Sequence, residues 1–410
     1  MKIEILTVWR GALTAFFLCA AFIASGCQAI NYGVPSTGSV PNQAPTATSI
    51  PVKTGPAAGE ILGTGQTRVA LLLPISAPGN GSAIAAEYRN AAQLAIEARG
   101  TNVMELVIKD TGGTAAGAIA RTEEAILEGS AIILGPVFSG SVTSSASVAR
   151  PNNRIMVAFS SDPSAASDGV FLMSFLPNQI VDRTISYATG VGVTSVSAIL
   201  PQGAYGALVE RQLRKTLAER GGVLLGVSRY EYNNESVVSA VQEILPAIQQ
   251  SDAIFIPDGG TSPIAIARVI QSEGVTLSEK RLIGTGQWRS SDLSSPFLQG
   301  GIFADMDQSG FEPFKERYKE TFEAEARVNA GLGYDAVSLV ADLLATGNPA
   351  ALSRQGIENQ SGFRGVTGIF RFMQDGETQR GLTVYQIREG EVEVVDPAPQ
   401  GFFGPRSVQY

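Results

Sequence analysis

The side chains able to do chemistry in this chain are hydroxyls, carboxylates and a few aromatics, and most follow short apolar runs. Ser76 closes "VALLLPIS", Asp110 and Thr111 close "MELVIKDT", and Phe138 and Ser139 come just after "AIILGP". Ser160, Ser161 and Asp162 follow "IMVAF", Asp258 follows "AIFIP", and Gln287 and Trp288 follow "RLIGTG". Tyr205 opens a helical stretch. These groups suit binding better than bond making or breaking. The 410 residues include no histidine, which removes Ser-His-Asp and Cys-His catalysis and every histidine metal site. There is no G-x-S-x-G elbow and no Walker loop. "GNGSAI" (79–84) lacks the third glycine of a dinucleotide loop, and Glu123-Glu124 reads as a solvated pair on a helix face. Neither a cofactor, a metal nor an enzymatic activity is expected. A net charge of −8 repels phosphate backbones, so nucleic acid is not an expected partner.

The elements that position these residues alternate. Strands are expected at 69–76, 104–111, 131–136 and 155–161, with helices at 84–99, 114–128 and 141–149. A second round starts near Val181, with strands at 195–201, 222–231, 253–259, 281–288 and 301–307. Its helices include one over 237–250, which runs through Pro246. A helix over 311–328 carries Phe311, Phe314, Tyr318 and Phe322 as a core stripe. Another covers 332–347, and β structure closes the chain. Strand, helix, strand at this spacing means right-handed crossovers and parallel sheets. The fold class is therefore α/β, with two Rossmann-like lobes around an inter-lobe cleft. In open parallel sheets ligands bind outside the carboxyl ends of the strands. That placement makes Ser76, Ser139, Ser160, Ser161, Tyr205, Asp258, Gln287 and Trp288 the cleft candidates. Helix capping explains Ser139, Ser160 and Ser161 as readily as ligand contact. Trp288 reads as a stacking platform in the cleft or as packing between lobes. Asp258 before Gly259-Gly260 also reads as turn chemistry.

The amino terminus is different in kind. No residue from Gly11 to Gly26 is charged, and the run ends in Ala24-Ser25-Gly26-Cys27. Its length suits the apolar region of an export signal rather than a spanning helix, which needs about 20 residues. The ending resembles a bacterial lipobox, with Ala24 where leucine is usual. That resemblance implies cleavage before Cys27 and lipid attachment to its thiol, so Cys19 leaves with the signal. Gln28, rather than aspartate, then implies sorting to the outer membrane of a two-membrane bacterium. Loss of Lys2, Arg10 and Glu4 leaves the mature chain one unit more acidic. Residues 27–66 carry the anchor and a tether with Pro35, Pro41, Pro45, Pro51 and Pro56, whose reach as a flexible chain is about 35 Å. The expected lobes are 67–182 with 306–375, and 183–305 with 376–396, followed by a tail at 397–410.

Four segments carry a wider resemblance: "VALLLPISAPG", "EGSAIILGPVFSGSV", "ILPQGAYGALVERQL" and "GYDAVSLVADLL". Their order and spacing over residues 67–396 are similar to type I periplasmic binding proteins of the leucine-binding class. In amino-acid receptors of that class, hydroxyl groups after the third and fourth strands hold the ligand α-carboxylate. Ser139 and Ser160 match those places, whereas Asp162 stands where a hydroxyl is usual and would repel a carboxylate. Within the class, "LLLPIS", "KDTGG", "ILGPVFSGSV", "DAIFIPDGG", "GTGQW" and "QGGIFADMD" resemble the penicillin-binding protein activators. Those are outer-membrane lipoproteins that bind a peptidoglycan synthase and often carry an N-terminal helical-repeat domain, where this chain has only the tether. The first resemblance implies an ABC importer as partner and an amino acid or peptide as ligand. The second implies a synthase.

Overall fold

The computed structural model describes residues 51–348 and 350–402. The expected signal, the Cys27 anchor and the tether up to residue 50 lie outside them. The first lobe is built on β1 (Glu60–Leu62), β2 (Arg68–Leu73), β3 (Glu105–Asp110), β4 (Ile132–Leu134), β5 (Met156–Ala158) and β6 (Val170–Leu172). Their order in the sheet is β1-β3-β2-β4-β5-β6, parallel apart from β1. Every residue of β2 is buried, as a central strand covered on both faces requires. Helices α1 (Gly81–Arg99), α2 (Ala115–Leu127) and α3 (Ser139–Ala149) connect the strands.

The second lobe opens with α4 (Pro177–Gly190), β7 (Ser195–Pro201), α5 (Ala204–Arg220) and β8 (Val223–Tyr230). It continues through α6 (Asn234–Glu243), α7 (Leu245–Gln250), β9 (Ala253–Phe255), α8 (Ser262–Ser272), β10 (Arg281–Ile283) and β11 (Ile302–Met306). The expected helix over 237–250 is thus two helices. Pro246 has no N–H for the helical ladder and instead sits in the first turn of α7, where none is needed.

The chain then returns to the first lobe with α9 (Phe311–Phe322), α10 (Val328–Ala345), α11 (Arg354–Ile357) and a small antiparallel sheet. That sheet is β12 (Phe363–Gly365), β13 (Gly368–Phe372) and β14 (Thr378–Arg380). The expected helix over 311–328 stops at Phe322, because Glu323 takes a left-handed conformation (φ 52°). The Phe311, Phe314 and Tyr318 stripe is buried in the first-lobe core. Helix α10 packs along α1 at Gly333, where a Cβ would stand 2.8 Å from the Tyr88 ring. The last strands, β15 (Leu382–Arg388) and β16 (Glu391–Asp396), pair antiparallel and complete the second sheet, β16-β15-β11-β10-β9-β7-β8.

Three short segments therefore join the lobes: 173–176, 307–310 and residue 381 with its neighbours. They correct two expected boundaries. Helix α4 buries Val181 and Ile185 in the second lobe, so the first crossing precedes residue 177. Strand β14 still belongs to the small sheet, so the third crossing follows residue 380.

The expected tether is also shorter. Residues 51–66 pack on the first lobe instead of hanging free. Thr54 donates its N–H to the Glu128 carbonyl (3.1 Å), Lys53 pairs with Glu105 (2.7 Å), and Gly55 accepts from Arg68 (3.0 Å). Glu60–Leu62 then pair with β3. No local apolar period announces this segment, because its partners lie far along the chain.

One pH effect follows from the second lobe. The Asp252 carboxylate accepts from the Thr194 hydroxyl (2.7 Å), the Thr194 N–H (2.9 Å) and the Ser195 N–H (2.9 Å), which pulls its pKa down to about 2. A carboxylate with a depressed folded pKa stabilises the fold above its unfolded value near 4 and loses that contribution as pH falls towards 2. Asp252→Asn should therefore lower the urea midpoint at pH 6, and the gap to the parent should narrow between pH 5 and pH 3. A gap independent of pH would contradict this assignment.

Candidate functional site

On the first-lobe side, the loops after β2 to β5 carry the candidates. The Asp110 carboxylate accepts from the N–H groups of Ser76 (3.1 Å) and Gly112 (2.8 Å), which ties two loops together. Burial opposes its charge, but the donors from Ser76 and Gly112 win and hold its pKa low. The Thr111 hydroxyl donates to the Leu73 carbonyl and accepts from Gly113. Phe138 lies against the Gly113 and Gly81 backbone with its ring partly exposed. It also occupies the N-cap position of α3, so Ser139 does not cap that helix. The Ser160 hydroxyl accepts from the Asp162 N–H (3.1 Å) in a tight turn. Asp162 in turn caps a short 3₁₀ turn, accepting from the Ser164 N–H and hydroxyl. Its carboxylate is therefore engaged locally, and among the described residues it makes no ion pair. Ser161 is exposed. Neither the Ser139 nor the Ser161 hydroxyl makes a hydrogen bond among the described residues.

The second-lobe side is more aromatic. The Tyr205 hydroxyl donates to the Pro257 carbonyl (3.1 Å), which also accepts from the Thr285 hydroxyl (2.6 Å). Burial pushes the Tyr205 phenol up to about 12, against the pull of Thr285 and Gln287. Asp258 is only 8% exposed; it accepts from the Tyr230 hydroxyl (2.7 Å) and from the Gly259 N–H (3.0 Å). The Gly259 contact is the local turn bond that the Asp258-Gly259-Gly260 sequence offers. Gln287 is exposed on the loop after β10.

Trp288 corrects both of its expected roles. It is fully buried inside the second-lobe core, neither in the cleft nor between lobes. Its indole N–H donates to the Ile256 carbonyl (2.8 Å). Glycine at 284 and 301 makes room for the ring, since a Cβ there would lie 2.2 Å and 2.6 Å from indole atoms.

Two residues were not foreseen. Tyr230 and Tyr232 stand edge to face (ring centroids 5.7 Å apart) next to Asp258, and Tyr232 is 73% exposed. Partial loss of water around its hydroxyl, and then the Asp258 carboxylate, push the Tyr232 phenol up. The signal was the Tyr-x-Tyr spacing at the end of β8, which places both rings on one face. Taken together, the candidates offer hydroxyls, phenols and three carboxylates, but no lysine or arginine. Among the described residues no cluster of three metal-ligating side chains occurs.

Comparison with known proteins agrees with this architecture. A family model described as "Periplasmic binding protein" matches residues 66–391. A putative branched-chain amino acid ABC transporter protein from Rhodospirillum rubrum superposes with a TM-score of 0.72 at 20% identity, covering 80% of this chain and 99% of that one. A substrate-binding protein from Desulfitobacterium hafniense, solved with Leu, gives 0.60 at 19% identity over 81% and 100% of the two chains. A solute-binding protein from Rhodopseudomonas palustris BisB5, solved with 3,4-dihydroxybenzoic acid, gives 0.59 at 17% identity over 82% and 98%. An uncharacterized protein of Rickettsia prowazekii is 24% identical over 179 residues, 44% of this chain and 47% of that protein, so the match spans about half the length of that relative.

Proposed function

Because this chain belongs to the periplasmic binding protein family, we propose that it is a non-catalytic, lipid-anchored protein of the periplasm that regulates a peptidoglycan synthase, in the manner of the penicillin-binding protein activators. One observation carries this reading. Three of the segments that resemble the activators meet around a single side chain. "DAIFIPDGG" supplies the Ile256 carbonyl, "GTGQW" supplies Gly284 and Trp288, and "QGGIFADMD" supplies Gly301. These residues are physically interdependent, so their joint presence is more informative than any one of them. The mature chain should bind one of the cell's own penicillin-binding proteins in a pull-down with purified partners. Failure with every one of them would remove the reading.

A second reading, a solute receptor for an ABC importer, is favoured by the uncommitted hydroxyls of Ser139 and Ser161 at the strand ends. It predicts a thermal shift with an amino acid or peptide, approaching about 2.7 kcal/mol at ligand a hundredfold above Kd. Silence across a broad panel would count against it. The anchor has its own test. Each buried methylene of an acyl chain adds about 0.8 kcal/mol of membrane affinity. Cys27→Ser should therefore release the protein into the soluble periplasmic fraction, and unchanged membrane association would refute lipidation at Cys27.

A further inference from the structure

The first and third crossing segments meet at one buried polar group that the cleft description does not use, and the second packs on the turn beside it. Arg380 ends β14 at the third crossing and is 7% exposed. Its guanidinium donates to the Ser174 carbonyl (2.8 Å) and the Met173 sulfur (3.3 Å) and lies 4.2 Å from the Phe175 ring centroid, all three partners in the first crossing. Its backbone N–H donates to the Gln179 side chain at the start of the second lobe (3.2 Å). A further guanidinium N–H donates to the Thr367 hydroxyl (2.9 Å).

Thr367 sits in the turn between β12 and β13, and its hydroxyl donates to the Asp335 carboxylate on α10. Asp335 is 1% exposed and also accepts from the N–H groups of Val366 (2.7 Å) and Thr367 (3.0 Å). The same turn touches the second crossing. A Cβ on Gly310 would meet the Val366 carbonyl at 3.0 Å, and one on Gly368 would lie 3.8 Å from the Asp307 side chain.

We propose that Arg380, bridged by Thr367 to Asp335, is the clamp that makes the three crossings move as one hinge when the lobes open and close. A buried cation held by a fixed fork, the rings of Phe175 (4.2 Å) and of Phe370 on β13 (5.3 Å) and a bridged carboxylate has one good arrangement. Any independent slide of one crossing would unpair it, and unpairing a buried charge is costly. The hinge mode therefore keeps these contacts and bends the backbone on either side of them, at residues 175–176 and 381. This inference does not depend on which partner or ligand the lobes serve.

The test is an inter-lobe distance distribution. Spin labels are placed at Glu123→Cys on α2 and Arg211→Cys on α5, both exposed, in a chain whose Cys19 and Cys27 are serine. The parent should give one or two narrow distances. Arg380→Lys keeps the charge but loses the planar fork, and Thr367→Val removes the bridge. Each should widen the distribution beyond the labels' own spread while far-ultraviolet circular dichroism stays the same. Widths equal to the parent in both variants would overturn the proposal. If Arg380→Lys fails to fold, Thr367→Val alone decides, because it changes no charge and little volume.

Discussion

Replacing Trp288 by alanine is expected to cost about 3–5 kcal/mol of stability, the range for removing a large buried aromatic side chain. The ring fills a slot whose two sides are the Gly284 and Gly301 backbones, and neither can move inward without breaking the β10–β11 region. The loss also leaves the Ile256 carbonyl without its indole donor. Trp288→Phe separates the two terms: it keeps much of the volume and should cost about 1–3 kcal/mol for the unpaired carbonyl and the partial void. Gly284→Ala should destabilise as well, since its Cβ would overlap the indole. Urea titration followed by circular dichroism reads all three. A Trp288→Ala midpoint equal to the parent would show that the ring is not the core element described. The outcome also bears on function. If the activator-like segments matter because they pack together, Trp288→Ala should lose partner binding only in proportion to the folded fraction lost.

The second large effect is expected at Arg68. Its guanidinium is almost fully buried and holds three partners: the Glu105 carboxylate (2.6 Å), the Glu128 carbonyl (2.7 Å) and the Gly55 carbonyl (3.0 Å). Burial opposes the Glu105 charge, but the hydrogen bonds and charges of Lys53 and Arg68 outweigh it and keep its pKa low. Arg68→Met leaves Glu105 its Lys53 partner but takes the guanidinium donors from the Glu128 and Gly55 carbonyls; leaving a buried acceptor unsatisfied costs about 1–3 kcal/mol, and Arg68→Met should fall in that range. It should also speed amide exchange in residues 54–62, which the arginine pins to the sheet. Truncation before Arg68 should act similarly, since Lys109 would lose the Ala58 carbonyl that it contacts at 2.7 Å. Exchange in this segment as slow as in the parent would contradict the role given to Arg68.

These two sites also show what the sequence could and could not reveal. The strands of both sheets were legible because parallel strands covered on both faces are continuous apolar runs, as in Val69–Leu73 and Ile132–Leu134. The strand-end positions of Asp110, Ser160 and Asp258 followed directly. Trp288 was misplaced because an indole five residues beyond a strand end can turn outward or back into the core, and only the distant Gly301 decides. The order of residues 51–66 was invisible for a related reason: its partners, Glu105 and Glu128, lie more than 50 residues away. The short β6 was missed between two stronger signals. Its three residues pair with β5, too few to announce a strand alone. Tyr232 escaped notice because an exposed aromatic after a strand reads as ordinary surface until Asp258 is found beside it.

The claim on which the functional account turns is that this two-lobed head acts by binding a cell-wall synthase. The direct measurement is the rate at which a purified bifunctional penicillin-binding protein polymerises lipid-linked precursor, with and without the mature chain at matched concentration. The account predicts a faster rate that saturates with the chain and is absent when the synthase is replaced by an unrelated glycosyltransferase. An unchanged rate with every synthase of the cell, alongside a clear thermal shift with an amino acid, would contradict it and leave the receptor reading in its place.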